Sequence, residues 1–392
     1  MNRRVGDSAT QSLTLSNTAA SGSFSEALNA SFTGATGNAG HNGGSINNLA
    51  AGSSNVGSMS VTMDTSTAGA KAGSVVLGYQ TDGTGSNGNS GLSAVAAGSQ
   101  TIIVSGNVYT AAVGQLNNPA VNFGVVRIGD VVGPRNITVQ NTAAASALND
   151  TLQANLTVVG GPFGSANSVG GIAAGASGNV AVSLATGTAG IFTQNRTVSF
   201  LSHNGEMADV SAGPDAQVVV TAQVNNYANA AFSLVSGLGA LTHIGTDWFL
   251  DLGNIVLNSS ISRSLHLSND VAGPADTLGG QFALIDNNDF ALSGWGPVSG
   301  LEAGQSSGNL DLGFDALSLG SFQDLIDFDG FGTNASDANS STPFGVAQHR
   351  TLTIRANVVV ANAEIPEPGT LALMLLAAAG AILARRRRIM AH

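Results

Sequence analysis

The segment Asn136-Ile137-Thr138-Val139-Gln140-Asn141-Thr142-Ala143, preceded by Ile128-Gly129-Asp130, decides how the rest of the chain is interpreted. Apolar and polar residues alternate through it, which is the period of a β-strand with one face in a core and the other in solvent. Asn141 ends the alternation at a point where an asparagine side chain can hydrogen-bond within a turn. The segment therefore predicts a half-buried strand followed by a turn.

The same segment recurs twice along the chain, and the copies stay in register through several later segments. A repeat of fixed length, here about 120 residues, indicates tandem copies of one structural unit. The upstream copy combines Val5-Gly6-Asp7 with Ser12-Leu13-Thr14-Leu15-Ser16-Asn17-Thr18-Ala19, and a more divergent copy is Ser264-Leu265-His266-Leu267-Ser268-Asn269-Asp270. The later matches are alternating strands at 59–63, 180–184 and 310–314, strands at 74–79, 197–201 and 324–328, and valine-rich closing strands at 100–108, 217–224 and 350–358.

About seven short strands per unit, with no helical pattern between them, are typical of an immunoglobulin-like β-sandwich. We therefore predict an all-β protein of three tandem Ig-like β-sandwich repeats, the first truncated at its N-terminus, followed by one C-terminal transmembrane helix. The predicted boundaries are 1–112, 113–228 and 229–361 for the repeats and 362–392 for the C-terminal segment.

The first repeat has no counterpart of Asn122-Phe123-Gly124, which opens the second, because Val5 already lies inside its first strands. A sandwich without its opening strand exposes an unpaired edge. Met1-Asn2-Arg3-Arg4 is basic, but no apolar run of a secretory signal follows it. We therefore expect the natural gene product to be longer and to carry its signal peptide upstream.

Composition excludes several classes of function. The chain has no cysteine, which rules out disulfides, cysteine nucleophiles and thiolate metal sites. Four of its 13 basic residues are Arg385–Arg388, so the rest of the chain carries 9 basic against 24 acidic residues, a net charge near −15. Binding of nucleic acid or of anionic membranes through a basic face is therefore disfavoured.

The C-terminal tail contains Ile365-Pro366-Glu367-Pro368-Gly369, an apolar run at 370–384 and four arginines, Arg385-Arg386-Arg387-Arg388. Prolines keep the first segment extended and accessible to a protease. The uncharged run predicts a helix of about 22 Å, shorter than the ~30 Å hydrocarbon core unless the bilayer thins around it. Basic clusters stay cytoplasmic, which places the residues before Pro366 on the other side of the membrane. A buried core helix with a basic end is the alternative.

This order of elements resembles the PEP-CTERM sorting signals of Gram-negative bacteria. The resemblance implies processing near Pro366-Glu367-Pro368 by an exosortase, a membrane-embedded cysteine protease-transpeptidase, with Arg385–Arg388 as the membrane stop. It also implies delivery to the cell surface or the exopolysaccharide matrix.

A second resemblance concerns the repeats. Val121-Asn122-Phe123-Gly124-Val125-Val126-Arg127-Ile128-Gly129, followed by Thr138-Val139-Gln140-Asn141-Thr142, looks like the choice-of-anchor D group of Ig-like surface repeats. Their units begin with Phe-Gly, a short strand and Gly, and continue with a strand ending in Asn-Thr-Gly. Ala143 replaces that last glycine, and the third repeat offers only Leu252-Gly253. This resemblance implies an architecture and supplies no catalytic residue.

Two further motifs are better interpreted as loops. Gly83-Thr84-Gly85-Ser86-Asn87-Gly88 has the spelling of a dinucleotide-binding loop, but no helix pattern follows that could hold a phosphate. Gly304-Gln305-Ser306-Ser307-Gly308 has the spelling of a nucleophile elbow, yet it lacks the strand-to-helix turn that an elbow requires. The histidines are scattered without the spacing of a metal site.

The third repeat concentrates the acidic and aromatic residues. Asp327-Phe328-Asp329-Gly330 spells part of a calcium loop, although Leu325 stands where the preceding ligand would be. Asp327 and Asp329 are therefore weak calcium candidates, with solvated carboxylates as the alternative. The aromatic residues form either a sugar-stacking face or part of a sandwich core. They are Trp248, Phe249, Phe290, Trp295 and Phe331.

Together these patterns predict a non-enzymatic surface or matrix protein of structural or adhesive function that needs no cofactor. Its predicted partners are an exosortase, the membrane during sorting and exopolysaccharide. A carbohydrate- or calcium-binding surface module is the alternative, and a secreted hydrolase is disfavoured because no catalytic constellation is present.

Overall fold

The computed structural model describes residues 1–84, 90–157, 160–237, 239–285, 289–337, 346–361 and 377. Within these ranges the chain folds almost entirely into β-strands, as its alternating sequence predicts. None of the helical structure in the described part of the chain is long and apolar enough to cross a membrane. The chain divides into two compact units, Met1–Val224 and Asn225–His392.

The first unit begins with a sheet of order β1-β8-β7-β3-β5 that faces a sheet of order β2-β6-β4, and we refer to these as the first sheet pair. Val61 and Met59 from one sheet and Val75 and Leu77 from the other are buried between them. The strands are β1 (Asn2–Arg4), β2 (Thr10–Ser16), β3 (Ala27–Gly37), β4 (Ala39–His41), β5 (Ser45–Leu49), β6 (Ser54–Met63), β7 (Gly69–Asp82) and β8 (Val95–Tyr109).

The second sheet pair completes the first unit. A sheet of order β10-β18-β16-β12-β14, with β17 beside β16, faces a sheet of order β13-β15-β11-β9 across one continuous apolar core. The strands are β9 (Gly114–Leu116), β10 (Ala120–Arg127), β11 (Arg135–Asn141), β12 (Thr151–Leu156), β13 (Phe163–Ser165), β14 (Ser168–Ile172), β15 (Ser177–Leu184), β16 (Gly190–Asn204), β17 (Met207–Ser211) and β18 (Ala216–Asn225).

The third sheet pair forms the second unit. A sheet of order β19-β22-β26-β24 faces a sheet of order β20-β21-β29-β27-β23-β25, with β28 beside β27. The strands are β19 (Ala230–Ser236), β20 (Ala240–Ile244), β21 (Asp247–Val256), β22 (Ser260–Asn269), β23 (Thr277–Leu284), β24 (Ala291–Ser293), β25 (Val298–Leu301), β26 (Leu310–Asp315), β27 (Gly320–Thr333), β28 (Val346–Ala347) and β29 (Arg350–Val359).

The repeated segments occupy matching places in the three sheet pairs. The segment that ends in asparagine forms β2, β11 and β22, and the valine-rich closing segment forms β8, β18 and β29. In the first and third pairs an opening strand runs parallel to the closing strand, with Asn2 opposite Asn107 and Asn254 opposite Asn357. The N-terminal residues Asn2–Arg4, interpreted from sequence only as a basic start, are therefore strand residues.

Candidate functional site

The residues predicted to form the sorting signal lie outside the described part of the chain. This applies to Pro366, Glu367 and Pro368, to the apolar run at 370–384 apart from Ala377, and to Arg385–Arg388. The last described strand, β29, ends at Val359, shortly before the signal begins.

The two calcium candidates lie two residues apart on a continuous strand. Asp327 and Asp329 both belong to β27, and this part of β27 is hydrogen-bonded to β23 on one edge. A calcium loop needs a turn that brings several oxygens together, whereas an extended strand spreads them apart. His349 lies close to Asp327, with its Nε2 3.9 Å from Asp327 Oδ1. Among the described residues, no group of three or more possible metal ligands is present.

The aromatic residues of the third sheet pair contribute mainly to its core. Trp248 and Trp295 both pack against Phe232, with ring centroids 5.8 and 6.5 Å from it. Trp295 Nε1 donates a hydrogen bond of 2.9 Å to the carbonyl of Asp311, which satisfies its polar group. Phe290 is buried, and the Arg355 guanidinium lies 5.7 Å from the centre of the Phe249 ring. The described residues therefore do not bring these rings together into one sugar-stacking face.

The Gly304 motif is a loop, as the sequence predicts, whereas most of the Gly83 motif, residues 85–88, lies outside the described residues. Its first residues, Gly83 and Thr84, follow β7. Gly304 has φ +76° and donates its N–H to the carbonyl of Asn269 at 2.8 Å, and the next element is the strand β26. A nucleophile elbow needs a helix at that point.

An asparagine at the end of the repeated segment forms the most regular polar arrangement in the structure. Asn141 and Asn269 are fully buried, and Asn17 is nearly so. Each side-chain amide donates to the carbonyl of a residue at the end of a strand in the facing sheet, at 3.0 to 3.1 Å. These acceptors are Leu49 on β5, Ile172 on β14 and Leu301 on β25. Each asparagine therefore links the two sheets of its pair.

The backbone of each asparagine is held by a glycine turn that recurs with it. Gly52, Gly175 and Gly304 have φ of 77°, 78° and 76°, a left-handed conformation that favours glycine. Their N–H groups donate to the carbonyls of Asn17, Asn141 and Asn269 at 2.9, 2.7 and 2.8 Å. The sequence showed both residues, but it did not show that they contact each other.

Two buried aspartates form a second recurring arrangement, which the sequence reasoning missed. Asp150 Oδ2 accepts from Arg4 Nε at 2.5 Å and from Ser202 Oγ at 2.8 Å. Arg4 also donates to the carbonyl of Ala208 at 2.9 Å. Because a buried charge must be paired and hydrogen-bonded, this cluster fixes β1 of the first sheet pair against the second.

The equivalent aspartate of the second unit, Asp276, accepts hydrogen bonds from two asparagines. Asp276 Oδ1 accepts from Asn225 Nδ2 at 3.1 Å and from Asn334 Nδ2 at 2.7 Å. The sequence signal for both sites is the repeated tripeptide Asp-Thr-Leu, at Asp150-Thr151-Leu152 and Asp276-Thr277-Leu278. A backbone contact is common to both sites. The carbonyl of Thr110 accepts the N–H of Asp150 at 2.9 Å, and the carbonyl of Asn226 accepts the N–H of Asp276 at 3.0 Å.

Two arginines are also used structurally. Arg196 is almost completely buried and donates to Ser165 Oγ at 2.6 Å and to the carbonyl of Phe163. Arg350 donates to the carbonyl of Ala230 at 2.7 Å and so ties β29 to β19. Burial lowers the pKa of both guanidinium groups, because desolvation disfavours the charged form.

Solved structures that resemble this chain include the following distant likenesses. A protein of unknown function from Porphyromonas gingivalis W83 matches with 13% identity and a TM-score of 0.24, over 62% of this chain and 99% of that chain. The extracellular cadherin domains 1–5 of protocadherin gamma B2 match with 12% identity and a TM-score of 0.36, over 93% of this chain and 59% of that chain. The PapD-like domain 7 of human CEP192 matches with 9% identity and a TM-score of 0.24, over 30% of this chain and 87% of that chain. TM-scores of this size support no conclusion about function.

The tail gives a more specific result. A comparison with curated proteins gave no match. The family model of the PEP-CTERM protein-sorting motif matches residues 364–388, which include the Pro-Glu-Pro sequence, the apolar run and the four arginines. The chain therefore carries a PEP-CTERM sorting motif at its C-terminal end.

Proposed function

We propose that this protein is a non-enzymatic structural or adhesive protein of the cell surface or extracellular matrix. The observation that carries the proposal is the sorting motif at residues 364–388, because this motif implies exosortase processing and export to the cell envelope. The β-sheet body ahead of the motif uses its buried polar side chains to join sheets, as Asn141 and Asn269 show. Sheet pairs held together in this way are suited to a structural role outside the cell.

In this proposal the tail serves as a temporary anchor. The apolar run at 370–384 spans the membrane as a helix, and Arg385–Arg388 hold its end in the cytoplasm, as basic clusters do. The exosortase then cleaves near Pro366-Glu367-Pro368 and releases the acidic body on the outer side. Exopolysaccharide is the proposed environment of the released protein.

We further infer that the body consists of three Ig-like repeats at 1–112, 113–228 and 229–361, of the choice-of-anchor D kind. Two matching turns support this inference. Asn122 Oδ1 accepts the N–H of Gly124 at 2.8 Å, and Asp251 Oδ1 accepts the N–H of Gly253 at 2.8 Å. The two glycines have φ of 78° and 70°. Phe123-Gly124 and Leu252-Gly253 are thus equivalent in conformation as well as in sequence position.

The proposed processing is tested by the mass of the mature protein. The full chain is expressed in a Gram-negative host with its exosortase and in the same host without it, and the intact masses are compared. We expect a C-terminus within residues 364–369 only when the exosortase is present. Replacing both prolines, Pro366→Ala with Pro368→Ala, should prevent processing, so the protein should keep its full-length mass in the presence of the exosortase.

Pro343→Ala serves as the matched control, because it removes a proline upstream of the motif. It should be processed like the parent chain. A protein that ends at His392 in the presence of the exosortase contradicts the proposal, as does processing that the double proline replacement leaves unchanged.

A further inference from the structure

The third sheet pair exposes a group of apolar side chains at the end where β29 finishes. Three segments meet there, 256–260, 315–320 and 359–361, and we call them together the tail-proximal end. β21 and β29 run side by side into it, and Asn258 donates its N–H to the carbonyl of Ala316 at 2.7 Å. Four apolar residues of this end are 44, 79, 56 and 60% exposed, namely Val256, Leu317, Leu319 and Val360.

The same turns are identified in the other two sheet pairs by their backbone contacts. One glycine in each pair begins a strand and lies opposite a valine of the closing strand, and these are Gly69, Gly190 and Gly320. The residue four positions earlier accepts an N–H, at 2.7 to 3.1 Å, from the turn that follows β1, β10 or β21. These acceptors are Thr65, Thr186 and Ala316. The three turns are therefore structurally equivalent.

The turn before the glycine carries leucines only in the third sheet pair. Leu317 and Leu319 lie three positions and one position before Gly320. The equivalent positions hold small or polar residues in the other pairs, namely Ser66 and Ala68 in the first and Gly187 and Ala189 in the second. The fold of the turn therefore does not require leucine. Exposed apolar residues that are grouped in this way mark an interaction surface.

The turn after the opening strand changes in the same direction. β1 and β10 both end in an arginine, whose backbone N–H donates to the carboxylate of an aspartate three residues later at 2.8 Å. In the third sheet pair Val256 and Ser259 take these two places, and Asp315 is the only charged residue of the tail-proximal end. The charged residues of the other two pairs are Arg4, Asp7, Arg127 and Asp130.

The tail-proximal end is also the part of the third sheet pair from which the chain continues into the sorting motif. The motif begins three residues after Ala361, and the apolar run begins at Thr370, nine residues after it. Nine residues span at most about 32 Å. In the proposed sorting intermediate, on which this inference rests, lipid is therefore within reach of this end. The opposite end of β29 is about 30 Å farther along the strand.

We propose that the tail-proximal end of the third sheet pair rests on the lipid surface while the tail is in the membrane. Its four exposed apolar side chains enter the boundary between headgroups and acyl chains, and the exposed hydroxyl of Ser318 stays among the headgroups. Burial of apolar surface drives this contact, because the three segments contain no basic residue that could attract anionic lipid.

The test exploits the absence of cysteine from the chain. Ser318→Cys places one thiol between the two leucines. Thr246→Cys places one at the opposite end of the same sheet pair, where the carbonyl of Thr246 accepts from the N–H of Thr351 near the start of β29. Each full chain is labelled with the environment-sensitive fluorophore NBD and reconstituted into phosphatidylcholine vesicles, with and without nitroxide-labelled lipid.

We expect insertion at one end of the sheet pair only. Because interfacial side chains lie about 5–10 Å deep, the label at 318 should shift its emission to the blue and be quenched at least about twofold by the nitroxide lipid. The label at 246 should show neither effect.

Replacing the leucines separates lipid contact from simple tethering. Leu317→Ser with Leu319→Ala gives this turn the residues of the first sheet pair and should remove most of the quenching at 318. Ile244→Ser is the matched control, because Ile244 is a 77% exposed apolar residue at the opposite end, and it should leave the quenching unchanged. Circular dichroism establishes that the variants are folded.

Four results would overturn the proposal. Equal quenching at 318 and 246, or none at 318 in a chain that floats with the vesicles, would overturn it and leave the proposed tail anchor standing. Quenching that survives the double leucine replacement would show that tethering alone explains the proximity. A blue shift without quenching would show that protein, and not lipid, covers this end. A chain that does not float with the vesicles would overturn both this inference and the proposed anchor.

Discussion

The role of the sheet-linking asparagines can be tested at Asn269. Its side chain is fully buried and makes three hydrogen bonds, donating to the carbonyls of Asp276 and Leu301 at 2.9 and 3.0 Å and accepting from the N–H of Asn229 at 2.9 Å. Asn269→Ala leaves these three backbone groups without their partner. An unsatisfied buried group costs about 1 to 3 kcal/mol, and relaxation recovers part of this, so we expect the free energy of unfolding to fall by about 3 kcal/mol.

The assay exploits the position of the two tryptophans. Trp248 and Trp295 both pack against the core of the third sheet pair and are the only tryptophans in the sequence, so tryptophan fluorescence reports the unfolding of the second unit alone. In urea, with a slope of about 2 kcal/mol per molar, a loss of about 3 kcal/mol lowers the midpoint by about 1.5 M.

Asn254→Ala is the matched control for this experiment. Asn254 is also hydrogen-bonded, accepting from Asn357 Nδ2 at 2.8 Å, but it is exposed on the surface. Its replacement should cost less than about 0.5 kcal/mol. If Asn269→Ala lowers the midpoint no more than Asn254→Ala does, the asparagine does not stabilise the contact between the sheets and the reasoning is refuted.

Two further predictions concern the first unit. Asp150→Ala leaves the Arg4 guanidinium buried without its carboxylate and should lower the free energy of unfolding by about 3 to 5 kcal/mol, measured by thermal unfolding with circular dichroism. Adding Arg4→Met should recover part of this stability. If it recovers none, the two residues are not coupled. Gly175 has φ +78°, and a Cβ atom there would meet nothing within 4 Å, so Gly175→Ala should lower the free energy of unfolding by about 1 kcal/mol through backbone strain alone. Gly187 is equally open but has no positive φ, so Gly187→Ala should be nearly neutral. Equal melting temperatures for the two variants would contradict the conformational argument.

The acidic and aromatic residues of the third sheet pair show why motif spelling is a limited guide. Asp327-Phe328-Asp329-Gly330 resembles part of a calcium loop, but the chain passes through it as the strand β27. Whether a short acidic sequence turns or extends depends on the strands that pair with it, and these are far away in sequence. Trp248 and Trp295 likewise pack in a core against Phe232, a contact that the residues next to them in sequence do not indicate.

The sequence by itself determined the strands of the repeated segments and the tail. Alternation with a period of two is a local property, so it located β2, β11 and β22, and the apolar run beside four arginines located the sorting signal without any structure. Only the tertiary structure decided which groups meet. Asn141 reaches Ile172 in the facing sheet, and Arg4 reaches Asp150 across 146 positions. The physical reason is that strand periodicity follows from neighbouring residues, whereas pairing and burial depend on contacts between segments that are distant in the chain.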